Sequence, residues 1–211
     1  MIFYLYIVVL LITTGSSLIK FRLEPYHAQI IAVIVAADLI IESLGMIPGI
    51  KRNILYNFVA LFEFWLYAYY YLQIIQNNRI RTFIRIYLFG LPGAWLALVI
   101  GMMGMAIWNT IFHAIGSVMI VLLSAWYYYQ LFTAEKLIRL SVSFEFWIAT
   151  ALIVYYSCDL PFLGMLNWLS QKSPLLAGKL VKTLQIVNMI FYSIICYAFI
   201  CLRRQRRSPS L

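Results

Sequence analysis

Charge is scarce in this chain. Only 11% of its 211 residues are Asp, Glu, Lys or Arg, less than half of the roughly 25% found in ordinary globular chains. Seven residues are acidic and two are histidines, while 64% are hydrophobic and the mean hydropathy is +0.90. A soluble fold of this size could not bury that much apolar surface and keep a polar exterior. This excludes a soluble enzyme, a disordered chain and a nucleic-acid module. Cysteine is equally thin. Cys158, Cys196 and Cys201 are odd in number and have no CxxC spacing, which argues against a disulfide framework or a zinc site. With only His27 and His113, a three-histidine zinc centre is excluded by count. No N-x-[ST] sequon occurs, in keeping with a bacterial origin.

What is present is a series of long apolar runs. A helix needs roughly 20 apolar residues to cross the hydrocarbon core. Seven stretches qualify, near 2–19, 28–46, 54–75, 82–103, 107–131, 144–163 and 180–202. The expected fold is therefore all-α, a bundle of seven transmembrane helices over 1–202 followed by a basic tail at 203–211. The longest loops are expected near 132–143 and 164–179. The first run has no positive region before it; Lys20 and Arg22 follow it instead. That flank suits a transmembrane helix better than a cleaved signal.

The net charge of +9 reads as a topology signal, because the basic residues lie between the runs. With seven spans and the C-terminus inside, eleven of the sixteen basic residues fall inside and five outside. The positive-inside rule thus favours N-terminus outside and C-terminus cytoplasmic, in the plasma (inner) membrane. The Arg-Arg-Gln-Arg-Arg stretch at 203–207 fits the same rule, and could also meet anionic lipid or a partner.

Tyr69, Tyr70 and Tyr71 end the third run and Tyr127, Tyr128 and Tyr129 the fifth; both triplets are expected in a cytoplasmic aromatic belt, with Trp168 in the last outer loop. Gly93, Ala97 and Gly101 form a small-residue stripe, which should let another helix approach closely. Pro92 should kink or break the fourth run and Pro161 the sixth. Phe-Glu-Phe-Trp occurs at both 62–65 and 144–147. In so biased a composition we read the match as coincidence, with an inverted transporter-type repeat as the alternative.

Ionisable groups inside a membrane are expensive and mark function by default. Here they are Asp38, Glu42, Glu63, His113 and Asp159; Glu145 lies at the inner edge of span six. In the N-out topology all five lie between mid-membrane and the outer face. Asp38 and Glu42 share a helix face at i, i+4, and Tyr56, Glu63, Tyr67 and Tyr70 form one stripe on span three. Four carboxylates without an intramembrane Lys or Arg cannot all be ionised in a dry core. Water reaches them, some are protonated, or a cation sits among them. The expectation is an outward-facing acidic pocket of Asp38, Glu42, Glu63, His113 and Asp159, lined further by Tyr56, Tyr67, Asn109 and Asn188. It would bind a ligand, proton or cation for sensing or transport.

Two other readings stand beside it. One is a membrane-embedded enzyme acting on lipid; the other is a structural subunit of a membrane complex, with the acids as packing groups. No catalytic set stands out. Asp38-x-x-x-Glu42 lacks the second acidic motif and the basic partners of a diphosphate site, and His113 and Ser117 share one helix without a GxSG context. No Lys lies mid-way along the last run, as a retinal protein requires, and no Pro-Gln pair marks a PQ-loop transporter. The residues do not identify a cofactor; no metal is assigned, His113 with two or three of the acids being the one candidate set. The expected partners are the bilayer and a separate signalling or membrane-complex protein, with no nucleic acid.

Overall fold

The computed structural model describes residues 2–19, 21–103, 109–134 and 140–207. Lys20, Lys136 and Arg139, used above for orientation, and residues 107 and 108 of the expected fifth span lie outside them. Seven α-helices and no strand occur among the described residues: α1 (Ile2–Leu18), α2 (Tyr26–Gly45), α3 (Arg52–Ile74), α4 (Asn78–Leu98), α5 (Thr110–Thr133), α6 (Phe144–Lys172) and α7 (Pro174–Arg207). Each corresponds to one apolar run. Four of them, α2, α4, α5 and α7, are long and apolar enough to cross a membrane, and α1 is apolar but shorter. Large apolar side chains stand outward, Phe89 at 87% exposure and Ile100 at 76%. In water such a surface would aggregate; against lipid it is the expected exterior.

The helix ends follow from local chemistry. α2 starts after Pro25, whose carbonyl accepts from the Ala28 and Gln29 amides, while the Gln29 side chain donates to the Glu24 carbonyl at 2.8 Å. The turn between α2 and α3 contains Gly49 at φ 94°, a conformation open to glycine at no steric cost. Asn77 caps α4, accepting from the Arg79 and Ile80 amides. Ser143 caps α6 by accepting from the Phe146 amide, and its own hydroxyl donates to Glu145 at 3.0 Å. Glu145 therefore serves a helix start.

Several expectations are corrected. The expected loop at 164–179 is almost wholly helical: α6 continues to Lys172 and α7 begins at Pro174, leaving Ser173 as the break. Proline is pre-set for a first helical position, where its missing N–H costs nothing. Trp168 thus lies within α6, its side chain outside the described residues. Pro92 and Pro161 do not break their helices, which continue through them. On the fourth run the departure from α geometry comes later, as a π-helical turn at Val99–Met103. The Gly93–Ala97–Gly101 stripe is exposed, and a Cβ at Gly93 or Gly101 would meet nothing within 4 Å. No described helix makes the close approach expected there. The tyrosine triplets are not uniform belts. Tyr70 and Tyr71 are fully buried, Tyr69 is half-buried and Tyr129 faces outward. Consecutive helical residues point about 100° apart, so three in a row cannot share a face.

The chain forms two compact units. One joins residues 1–19 to 121–211. Within it α7 packs on both α6 and α1. Phe144 meets Phe199 edge-on at 5.2 Å, and Tyr155 stacks on Phe191 at 4.5 Å. The Thr13 hydroxyl is shared between the Val9 carbonyl of its own helix and the Tyr192 carbonyl of α7. Arg203 of α7 donates to the Ser16 and Ile19 carbonyls. The last carbonyls of a helix have no partner within it, and this guanidinium closes the end of α1. The other unit, residues 20–120, comprises α2, α3, α4 and the first half of α5, with α3 packed between α2 and α4.

The two Phe-Glu-Phe-Trp copies play different structural parts. The first lies in the middle of α3; the second is the opening turn of α6. This accords with coincidence rather than repetition.

Candidate functional site

α2 and α3 enclose a cleft of about 270 Å³. From α2, Ile34, Ala37, Asp38 and Ile41 share the i, i+3, i+4, i+7 face. From α3, Leu55, Phe58, Val59, Phe62 and Glu63 do the same. The walls are hydrocarbon, and the Asp38 and Glu63 carboxyls are the only polar side-chain groups of the lining. Asp38 is buried, Glu63 is half-buried, and Phe58 and Phe62 stand exposed at the rim. Two of the five expected pocket residues therefore meet in one cavity.

The other three are placed elsewhere. Glu42 shares a helix face with Asp38, but its carboxylate accepts from the Tyr56 hydroxyl at 3.4 Å and is not part of the lining. Tyr67 is buried away from the cleft. His113 packs edge-on against Phe64, with ring centroids 5.1 Å apart. Its Nδ1 lies 3.3 Å from the Ser117 hydroxyl, which donates to the His113 carbonyl at 2.8 Å. That is an i, i+4 contact within one helix. Asp159 is buried in α6 and Asn188 half-buried in α7, both in the first unit. No group of three or more His, Cys, Asp or Glu is placed to hold a metal among the described residues.

Asn109 belongs to a structural node rather than to the cleft. The Asn57 side-chain oxygen accepts from the Asn109 amide at 2.9 Å, and the Asn57 carbonyl accepts from the Trp95 indole at 3.0 Å. The Asn109 side chain in turn caps α5 by accepting from the Phe112 amide at 3.0 Å. One buried asparagine thus links α3, α4 and the start of α5. Replacing Asn57 by Leu strands a buried N–H and is expected to cost about 1–3 kcal/mol. A thermal melt in lipid nanodiscs, wild type beside variant, measures this.

A further polar group lies at the opposite end of α2. Glu24 is buried, His27 lies against the Tyr70 ring at 6.4 Å, and the Tyr26 and Tyr69 hydroxyls are 3.5 Å apart. Glu24 precedes Pro25, so position alone assigns it to a loop; its burial has no signal in the local pattern.

The chain matches no family model, no curated protein and no solved structure.

Proposed function

We propose that this chain is a seven-helix integral membrane protein of the plasma membrane, N-terminus outside, whose α2–α3 cleft binds a ligand, proton or cation for sensing or transport. One observation carries the reading: Asp38 and Glu63, on two different helices, line the same otherwise hydrocarbon cavity. Carboxyl groups are rare within apolar helices because they are costly there. A cavity gives these two access to a proton, a cation or the cationic part of a ligand. Length also allows α3 and α6 to span. α3 has 23 residues and α6 has 29, about 34 and 43 Å at 1.5 Å per residue, enough to cross a hydrocarbon core of about 30 Å.

The test compares wild type with Glu63→Gln by native mass spectrometry of protein released from nanodiscs, beside proton flux in liposomes. A small molecule or cation held by wild type alone, or a proton leak lost in the variant, is the expected result. Empty protein and equal flux in both would overturn the reading.

A further inference from the structure

A second cavity lies in the other unit. It is an open groove of about 400 Å³ between α6 and α7, walled by Trp147, Ile186, Ile190, Ile194 and Tyr197, with Met189 and Ser193 completing it. The Ser193 and Trp147 polar groups are already engaged. The Ser193 hydroxyl donates to the Met189 carbonyl of its own helix at 2.7 Å, and the Trp147 indole donates to the Ser141 carbonyl at 3.1 Å. The groove therefore offers hydrocarbon and ring faces. Trp147 and Tyr197 close one end, edge-on with centroids 4.9 Å apart.

Its length and its charged end fit one class of molecule. From Ile186 to Tyr197 α7 rises about 16 Å at 1.5 Å per residue, close to the half-thickness of a hydrocarbon core of about 30 Å. Seven residues beyond Tyr197, and so on the same helix face, stands Arg204, which is exposed. Arg203, beside it, is committed to the α1 carbonyls. Arg204 rises about 10 Å past the aromatic end, at the level where a phosphate would lie if an acyl chain filled the groove.

We propose that the α6–α7 groove is a binding site for an anionic phospholipid, one acyl chain lying along Ile186–Tyr197 and the headgroup phosphate on Arg204. The occupant is set by complementarity: a mostly apolar wall for the chain, with the Ser193 hydroxyl turned to its own helix, an aromatic pair at the interface, and a cation beyond it. The aromatic pair matches the interfacial preference of Trp and Tyr. The site is independent of the α2–α3 cleft.

The experiment uses the full chain in nanodiscs of phosphatidylcholine and phosphatidylglycerol in equal parts, followed by native mass spectrometry of the retained lipid. Three proteins are compared: wild type, Arg204→Gln, and Ile190→Trp, which fills the groove from a position that is half exposed. Wild type is expected to retain one phosphatidylglycerol in preference to phosphatidylcholine. Arg204→Gln should lower that preference about fivefold, the equivalent of about 1 kcal/mol for one basic side chain near the headgroups. Ile190→Trp should release the retained lipid of either kind. Equal retention of the two lipids by wild type overturns the proposal. So does a preference lost in Arg204→Gln but kept in Ile190→Trp, which would mark a surface charge acting without the groove. A dimer that Ile190→Trp converts to monomer would assign the groove to a second copy of the chain, and also overturns it.

Discussion

Gly116→Ala is expected to destabilise the folded chain by about 1–3 kcal/mol, the usual cost of forcing an extra carbon into a filled interior. In a free helix the same change would be favourable by about 1 kcal/mol, so the sign of the effect separates packing from propensity. A Cβ on Gly116 would overlap the ring of Phe64 at three of its carbons. That ring is fully buried, held edge-on by Phe112 at 5.9 Å and by His113 at 5.1 Å. It is the rigid part of a side chain with neighbours on two sides, and cannot swing away cheaply. Combining Gly116→Ala with Phe64→Leu provides the check. Phe64→Leu alone leaves a void, and the alanine methyl then occupies part of it. The double variant should be more stable than the sum of the single effects implies, by at least about 0.5 kcal/mol, since the two residues touch. Strict additivity in a nanodisc melt would sink the argument.

Asp38→Asn and Glu63→Gln are each expected to abolish ligand retention or proton flux while leaving the melting temperature nearly unchanged. Both substitutions keep the shape of the side chain and one acceptor oxygen, replace the other oxygen by an N–H donor, and remove the ability to carry negative charge. The corresponding leucine variants should behave differently, losing function and also about 1–3 kcal/mol of stability each through stranded polar partners. Glu42→Gln is the internal comparison. Its carboxylate is engaged with Tyr56 and lies outside the cleft lining, so retention or flux should persist. A Glu42 variant as inactive as the Glu63 variant would show that the working site is not the α2–α3 cleft.

Much of the helical pattern is legible in composition, because each apolar run longer than a membrane core became a helix. What escaped were features set by neighbours. The α6–α7 junction looked like a loop because Asn167, Ser170, Gln171, Lys172 and Ser173 lower the local hydropathy; the helix continues through all but the last of them. The tyrosine triplets looked like belts because a linear reading ignores the 100° turn between neighbours. Asp38 and Glu63 could be paired from sequence only as two acids at similar depth. Their meeting depends on the α2 face 34–41 opposing the α3 face 55–63. His113 and Asn109 looked like pocket residues for their polarity alone. Their contacts, with Phe64 and Asn57, are long-range and leave no mark in spacing.

The two units differ in how they can be made. Residues 20–120 are continuous in the chain, so that unit has all its parts once its last helix segment has been synthesised. The other unit starts with α1 and resumes a hundred residues later. The α1 carbonyls at Ser16 and Ile19 are closed by Arg203, and Thr13 of α1 donates to Tyr192. Helix α1 thus finds its partners on α7, more than a hundred residues later in the chain. Until α7 has been made, α1 has its own internal hydrogen bonds to rely on. A chain interrupted before residue 192 would carry an intact middle unit and an orphaned first helix.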